Sequence, residues 1–310
     1  MKGEFQLIER LKALIPRSLQ GKIPIGDDAA LLHFGSRPLL FTTDVIVENV
    51  DFKTGKGGAR PEAVGRKALA VNLSDLAAMG GCPLAFVAAM GIPKSFPPSW
   101  AERAAKGMIR LARKYRTAWV GGDLSRASRA FISIALLGKP AGLPVRRSGA
   151  RPGERIYVTG TLGGSIEGRH LQFEPRLREA RFLAHRFRPS AMIDLSDGLI
   201  QDLGHLLTAS RVGARVDLAR VPVSKAALKR ARGRTRPALR SALADGEDFE
   251  LLFTLPPGRG ARLEKAWKRA FPRTPLSKIG TVVRGSGKIF WKEGEQSKKL
   301  WFQKKGFTHF

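Results

Sequence analysis

Apolar residues recur at helical spacing in the segment KALAVNLSDLAAM, residues 67–79. They fall at positions i, i+4, i+7 and i+10, and they are Leu69, Leu73, Leu76 and Met79. This spacing predicts a helix with one buried stripe and places Asn72 and Asp75 together on another face. A buried carboxylate without a partner would be costly, so we expect Asp75 to meet solvent or a cation. For a single Asp, a polar patch at a helix end is the alternative.

Apolar and β-branched runs bounded by glycine-rich turns predict strands before and after this helix. In the first half these runs cover residues 38–52, 84–91, 117–120 and 131–137, and 100–115 is an amphipathic basic helix. In the second half they cover 155–159, 279–283 and 288–291, and a short strand within 190–207 runs into a helix. Residues 138–154 are dense in Gly, Pro and Arg, which indicates a linker. We therefore predict two domains, residues 1–142 and 143–310.

Acidic and hydroxyl residues concentrate at the ends of these predicted elements. In chain order they are Asp27 and Asp28 on a glycine-led turn, Thr42, Thr43 and Asp44 at the end of a strand, Asp123 just beyond a strand, Asp194, Ser196 and Asp197 at a strand-to-helix junction, and Glu247 and Asp248 before a strand. Ordinary structural roles exist for several of them, because Asp is common in turns and Ser196 or Asp197 would cap a helix. Capping needs only one such residue, however, and leaves Asp194 unexplained.

The oxygen donors in this set are not accompanied by paired His or Cys residues. Carboxylates combined with hydroxyls suit Mg²⁺ rather than zinc. Several such ions would need phosphate oxygens to complete their coordination, which indicates phosphoryl transfer from a nucleotide. The glycine-rich turn at 160–168 either cradles a phosphate on backbone N–H groups or packs a helix tightly on a strand. It is not a Walker A loop, because no Gly-Lys pair in the chain is followed by Ser or Thr.

Composition narrows the class of protein. The chain has 310 residues, of which 43% are hydrophobic, so it supports folded domains with apolar cores. The single cysteine, Cys82, excludes an intramolecular disulfide and a Cys-rich metal site and favours a reducing, cytoplasmic setting. The N-terminal segment has no continuous apolar region, so no signal peptide is predicted. No run of eighteen apolar residues occurs, so no membrane partner is expected.

The chain is strongly basic, with a formal net charge of +29. Such a charge attracts polyanions, and the densest basic segment is 224–240. That segment contains no aromatic residue, and no nucleic-acid motif accompanies it. We interpret it as a solvated helix and loop within a generally basic surface. Nucleic acid is therefore expected to bind only non-specifically, if at all.

Eight segments, in this order, together resemble the thiamine-monophosphate kinase family. They are GDDAALL, TTDVIVENVDF, KALAVNLSDLAAMG, GGD, RSGARPGE, IDLSDGLIQDLGHL, GEDFELLF and GFTHF. The resemblance covers residues 3–310 and extends to a superfamily that includes aminoimidazole ribonucleotide synthetase. It implies an α+β fold of two domains. In that fold the N-terminal mixed sheet forms a barrel across a homodimer, and the C-terminal domain is an α/β sandwich.

The resemblance also implies an activity and a set of site residues. The reaction is ATP-dependent phosphorylation of thiamine monophosphate to thiamine diphosphate by direct in-line transfer with several Mg²⁺ ions, so no residue is expected to act as a covalent catalyst. The implied metal ligands are Asp28, Thr42, Thr43, Asp44, Asp75, Asp123, Asp194 and Asp197. The implied nucleotide contacts are Gly122, Asp123, Arg147 and Ser196. Glu247 matches a contact to the thiamine moiety.

Two positions depart from the family pattern, and both concern the acceptor. The family usually carries a substrate-contacting His where this chain has Asp51, and Trp or Tyr where it has Phe307. An Asp at position 51 would favour a cationic thiazolium but repel a phosphate, and Phe307 keeps a stacking face but lacks a polar group. These departures leave open a related kinase or synthetase that acts on a different small acceptor. The basic surface leaves open a second alternative, a nucleic-acid-binding protein built on this scaffold.

Overall fold

The structure is a computed structural model that describes residues 4–15, 26–35, 37–285, 287–293 and 296–298. Within these ranges the first half forms a five-stranded sheet in the order β1-β2-β5-β3-β4. Its strands are β1 (Ala30–Phe34), β2 (Arg37–Val47), β3 (Gly81–Ile92), β4 (Ala118–Arg126) and β5 (Phe131–Pro140). All neighbours are antiparallel except β3 and β4, which run parallel. The helices of this half are α1 (Glu4–Leu14), α2 (Pro61–Ala78) and α3 (Pro98–Tyr115).

Helix α2 lies at the centre of the molecule. Pro61 begins it, at a position where the missing N–H costs no helical hydrogen bond. Gly65 allows α3 to pack closely, since a Cβ there would lie 1.9 Å from the carbonyl oxygen of Ala104. The helix contacts β2, β5 and α3 on one side and α4, α5 and β7 of the second half on the other. Because it is covered from both sides, α2 is buried around most of its circumference, including Asn72, and the expectation of a single buried stripe is wrong.

Residues after β5 form a second, mixed sheet in the order β12-β11-β8-β10-β6-β9-β7. Its strands are β6 (Arg155–Thr159), β7 (Ala191–Asp194), β8 (Gly213–Asp217), β9 (Leu251–Leu255), β10 (Leu276–Val283), β11 (Ile289–Glu293) and β12 (Gln296–Lys298). The accompanying helices are α4 (Arg169–Gln172), α5 (Leu177–Arg186), α6 (Leu199–Ser210), α7 (Lys225–Arg230), α8 (Thr235–Ala244) and α9 (Pro257–Ala270). Strands β10 and β11 flank β8, so the expected closing pair is correct as strands but wrong as a pairing.

Two local expectations, on where strands β2 and β4 end, are corrected. Strand β2 continues through Thr42 and Asp44 to Val47 rather than ending at the polar cluster. Strand β4 likewise runs through Asp123 to Arg126, because pairing with β3 extends past the glycines. At Gly122 a Cβ would lie 2.0 Å from the carbonyl oxygen of Ala88, so glycine at this position allows β4 to approach β3 closely.

The expected α+β architecture with two sheet-based halves is observed. One apolar core joins α2 and α3 to Phe173, Leu177 and Leu183 of the second half, and another lies entirely within the second half. The predicted boundary after residue 142 falls between β5 and β6 and stays a prediction. None of the helices in the described ranges combines the length and the hydropathy needed to cross a bilayer.

Candidate active site

Three carboxylates from distant parts of the chain converge beside α2. Asp28 precedes β1, Asp75 lies on α2, and Asp194 ends β7. One oxygen atom from each lies within 4.8 Å of the others, and this group is the candidate metal site among the described residues. We call these three residues the acidic cluster. Convergence from both halves of the molecule explains why no single sequence segment contains the site.

Short hydrogen bonds fix the orientation of the acidic cluster. Thr42 Oγ1 donates to Asp75 Oδ2 at 2.5 Å, and Ser74 Oγ donates to Asp194 Oδ2 at 2.6 Å. Arg147 Nη2 donates to Asp28 Oδ1 at 2.7 Å. These donors engage one side of each carboxylate. The arrangement holds several anionic groups at the short separation that oxygen-liganded cations require.

The acidic cluster lacks sufficient positive charge of its own. Burial, together with the charges of Asp44, Asp194 and Asp28, raises the pKa of Asp75 well above its ordinary value. Burial and the charge of Asp28 raise the pKa of Asp194 to about 8. Burial also raises the pKa of Asp28, although Arg147 opposes this shift. Such shifts mark a site whose ionised form needs an added cation.

The residues of the acidic cluster fit Mg²⁺ on chemical grounds. Asp28 Oδ2 is buried and has no hydrogen-bond partner among the described residues. A buried carboxylate oxygen in that state is costly unless a cation or water contacts it. The donor set consists of hard oxygen atoms, and no His or Cys belongs to it. A hard divalent cation therefore satisfies both the orphaned oxygen and the excess negative charge.

A cleft of about 490 Å³ adjoins the acidic cluster. Its carboxylate lining comes from Asp44, Asp51, Asp75, Asp194, Asp197, Asp245 and Glu247. Apolar lining comes from Val45, Ile46, Val50, Val71, Ile166 and Phe249, and the cations of the lining are Lys67 and Arg230. The cleft therefore combines an acidic surface with apolar side chains that suit an aromatic ring.

The turn before α6 is shaped by a carboxylate that sequence analysis did not single out. Asp202 Oδ2 accepts hydrogen bonds from the backbone N–H groups of Asp197, at 3.1 Å, and Gly198, at 3.0 Å. Helix α6 has Gly198 as its N-cap and no side-chain cap, so capping by Ser196 or Asp197, the alternative to a ligand role, is not observed. Ser196 and Asp197 both line the cleft instead. Burial raises the pKa of Asp202 well above its ordinary value.

The glycine-rich turn at 160–168 is occupied by the chain's own carboxylates. Both oxygens of Asp248 accept from the Gly163 N–H, at 3.0 and 2.8 Å, and Asp245 Oδ2 accepts from the Gly164 N–H at 3.4 Å. A Cβ at Gly163 would lie 2.5 Å from the backbone nitrogen of Ala242. Of the two alternatives for this turn, the structure therefore favours tight packing over a phosphate cradle.

Two of the three residues expected at the acceptor lie at the cleft. Asp51 lines it, but its Oδ2 accepts from the Val47 N–H at 2.8 Å and so closes the turn after β2. Glu247 also lines the cleft and forms an ion pair with Lys67. Phe307 lies outside the described residues. The Asp51 carboxylate is thus engaged in local structure as well as facing the cleft.

Thr43 and Asp123 lie apart from the acidic cluster. Thr43 is exposed and adjoins Thr42 and Asp44 on β2, so it faces the other side of the sheet. Asp123 pairs with Ala89, which pairs in turn with Ser133, and Ser133 pairs with Val45, so Asp123 lies on that same outer side. Strands β2 and β4 are three strand spacings apart, about 14 Å. Gly122 is level with Asp44 across the sheet.

Most of the predicted site residues lie together in the structure, but the sequence analysis missed several residues that support them. The structure gathers Asp28, Thr42, Asp44, Asp75, Asp194, Ser196, Asp197 and Arg147 around the acidic cluster and the cleft. The residues missed are Lys67, Ser74, Asp202 and Arg230. A signal existed for Lys67, a cation at the start of an apolar helical run, and for Asp202, a further acid after the DLSD motif. Arg230 was concealed by the basic composition of 224–240.

Comparisons with known proteins agree with this geometry. The family model for the N-terminal domain of AIR synthase related protein matches residues 26–139, and the model for the C-terminal domain matches 151–292. The thiamine-monophosphate kinase of Rhodopirellula baltica is 38% identical over 300 residues, covering 94% of this chain and 92% of that protein. The Escherichia coli K12 thiamine-monophosphate kinase is 36% identical over 333 residues, covering 99% and 98%. The solved structure of AaThiL complexed with AMPPCP and TMP superimposes with a TM-score of 0.83 and 32% identity, covering 99% and 97%.

Proposed function

The chain belongs to the thiamine-monophosphate kinase family of AIR synthase related proteins, and from this premise we propose how its cleft carries out the reaction. The protein is a kinase that uses ATP to phosphorylate thiamine monophosphate, giving thiamine diphosphate and ADP. One oxygen of the acceptor phosphate forms a bond to the γ-phosphorus of ATP while the bond from that phosphorus to the β,γ-bridging oxygen breaks. No side chain needs to form a covalent intermediate in this direct transfer.

The acidic cluster is proposed to hold Mg²⁺ through Asp28, Asp75 and Asp194, with Thr42, Asp44 and Asp197 as adjacent ligands. When bound, such ions neutralise phosphate oxygens and hold the two reacting groups in line. Arg147 orients Asp28 through the 2.7 Å hydrogen bond, and Ser74 orients Asp194 through the 2.6 Å bond. The protein's part in the reaction is therefore placement of charge rather than proton transfer.

Nucleotide and acceptor are proposed to meet at the cleft from different sides. Gly122, Asp123, Arg147 and Ser196 are the proposed nucleotide contacts, and Asp51, Glu247 and Phe307 are the proposed acceptor contacts. The apolar side chains Ile166 and Phe249 suit the heteroaromatic rings of thiamine, and Glu247 suits its cationic thiazolium. This arrangement directs the acceptor phosphate toward the acidic cluster.

A homodimer is proposed for the outer face of the first sheet. Helices α2 and α3 cover one face, whereas the other carries Phe41, Val45 and Val87, which are 41%, 51% and 40% exposed. Exposed apolar side chains grouped on one face of a sheet are typical of a surface that meets a second layer. A second copy would build the expected barrel and would cover Thr43 and Asp123, whose proposed contacts depend on that cover.

The observation that carries the proposed function is the convergence of the acidic cluster beside the mixed acidic and apolar cleft. The test is turnover of purified protein with Mg-ATP and thiamine monophosphate, with thiamine diphosphate separated by chromatography. Formation of thiamine diphosphate in equal amount to ADP is expected. Tight Mg-ATP binding without product would contradict the acceptor assignment.

A second candidate function rests on Asp51, which stands where the family usually has His. Its carboxylate lines the acceptor side of the cleft, so a related acceptor richer in positive charge would also suit the site. The same assay distinguishes the two candidates when other phosphorylated or hydroxylated cationic heteroaromatic compounds replace thiamine monophosphate. Preference for one of them over thiamine monophosphate would favour this second candidate.

A further inference from the structure

The loop 245–249, which carries Glu247, has an unusual backbone. Gly246, Glu247 and Phe249 have φ values of 75°, 56° and 49°. Left-handed backbone is disfavoured for residues with a side chain, and two such residues lie in this short loop. Conformations of this kind persist only where surrounding contacts hold them, and they concentrate at functional sites. The contacts that hold this loop are therefore of functional interest.

Most of these contacts come from the same half of the molecule. The N–H of Glu247 donates to the Ser196 carbonyl oxygen at 2.6 Å, and the N–H of Phe249 donates to the Leu195 carbonyl oxygen at 2.8 Å. Arg230 on α7 forms an ion pair with Asp245 at the start of the loop. These bonds engage the backbone of the loop and the Asp245 side chain, but none of them engages the Glu247 side chain.

The Glu247 side chain is held from the other half of the molecule. Lys67 Nζ, on α2, donates to Glu247 Oε1 and also to the Asp51 carbonyl oxygen at 2.8 Å. Lys67 is fully buried, whereas the Glu247 side chain is 26% exposed and lines the cleft. A buried ammonium group is costly unless it is paired and hydrogen-bonded, so both bonds are needed for Lys67 to stay in place.

We propose that Lys67 is a positioning residue for the acceptor. It neutralises and fixes one oxygen of Glu247, presents the other oxygen to the cleft, and ties loop 245–249 to the turn at Asp51. This inference rests on the proposed function, because Glu247 is an acceptor contact there. Lys67 itself has no contact with the acceptor or the nucleotide in this assignment, so its loss affects acceptor binding rather than the transfer step.

Steady-state kinetics test the proposal with three variants. Lys67→Met removes the charge and both hydrogen bonds, and Lys67→Arg keeps a cation. Lys114→Met is the control: it removes an exposed lysine of α3 that forms an ion pair with Glu174. We expect Lys67→Met to raise KM for thiamine monophosphate by about ten-fold, the effect of one lost hydrogen bond to a charged group. In Lys67→Met, the KM for ATP and kcat are expected to change by less than about two-fold. Lys67→Arg is expected to have a KM for thiamine monophosphate between those of the parent and Lys67→Met. Lys114→Met is expected to have the kinetic constants of the parent protein. An equal rise in both KM values, or a fall in kcat alone, would overturn the proposal.

A double-mutant cycle with Glu247→Gln separates positioning from general destabilisation. If Lys67 acts through Glu247, the double variant has the same KM for thiamine monophosphate as Glu247→Gln alone. Multiplicative effects of the two substitutions would overturn the proposal. The cycle uses the intact protein and needs no variant to be fully stable, provided that each retains a cooperative thermal transition.

Hydrogen–deuterium exchange gives a readout that does not depend on the acceptor. In Lys67→Met, amides of residues 245–249 are expected to exchange faster while those of α3 stay unchanged. If the parent protein forms no thiamine diphosphate, the proposed function fails, and faster exchange still supports the hold of Lys67 on the loop. Unchanged exchange in residues 245–249 would overturn the inference whichever acceptor the protein uses.

Discussion

Ser74 on α2 donates a 2.6 Å hydrogen bond to Asp194 at the end of β7, and this bond joins the two halves of the molecule inside the acidic cluster. Ser74 and the neighbouring Asp75 are on one helix, so the same helix supplies both a cluster carboxylate and the donor that orients another. Docking of the two halves therefore completes the acidic cluster. Movement between them would change the separation of the carboxylates.

Replacing Asp75 by Asn is expected to lower turnover at least about 100-fold, because the proposed metal ligand is lost while the shape of the side chain is kept. Asn still accepts the hydrogen bond from Thr42. In metal-free buffer the variant is expected to melt at the same temperature as the parent or higher, since burial and the neighbouring carboxylates raise the pKa of Asp75 and the substitution removes this unfavourable buried charge. Turnover and thermal unfolding are measured on the same samples. Retained turnover, or loss of the folded state, would contradict the ligand role.

Stability of the metal-free protein is expected to fall as pH rises from about 4 to about 8. Burial raises the pKa of Asp194 from 3.8 to about 8, so over this interval the native state binds a proton that the unfolded state releases. Urea unfolding across this interval in EDTA checks the sign. Mg²⁺ is expected to flatten the dependence, because it replaces the proton at the cluster. The variant Asp194→Asn serves as the control, and a slope that is the same in Mg²⁺ as in EDTA would contradict the metal site.

The turn after β2 depends on the Asp51 carboxylate. Asp51→Ala is expected to lower the free energy of unfolding by about 1 kcal/mol, the usual contribution of one such hydrogen bond, because the Val47 N–H loses its partner. It is also expected to raise KM for the acceptor. The turn carries the Asp51 carbonyl oxygen, which accepts a hydrogen bond from Lys67 Nζ, so loosening the turn weakens the hold on Lys67. Asp51→Asn is the matched control, since its side-chain oxygen can still accept from Val47. Denaturant unfolding and steady-state kinetics measure both effects, and equal behaviour of Ala and Asn would count against this account.

The outer face of the first sheet is expected to hold the dimer. Val87→Lys places a charge in the centre of the apolar face and is expected to convert the dimer to monomer, because an unpaired buried charge is costly. Light scattering after gel filtration measures the mass. Leu143→Lys is the matched control, because Leu143 is 78% exposed and lies outside both sheets. A parent protein that is already monomeric would rule out the proposed homodimer.

The sequence by itself determined the type of chemistry. Carboxylates and hydroxyls beside glycine-rich and apolar segments predicted a hard-cation site, which stays a prediction. The eight motifs indicated the family, the two-part fold and the kinase reaction, and these three are confirmed. These features are local in the chain, since a motif of a few residues contains both its ligand atoms and its turn. The strand from 155 to 159 was also predicted at its observed bounds, because its apolar run is sharply bounded.

Tertiary structure decided which of these residues meet and which remain apart. Asp28, Asp75 and Asp194 converge only because α2 is enclosed by both halves, and Thr43 faces away from Thr42 because side chains alternate along β2. The partners of Lys67, and the use of Asp51 to close a turn, depend on contacts between segments that lie far apart in the chain or on backbone geometry. Hydrophobic spacing records which positions are buried but not against what, so only the folded chain could assign these contacts.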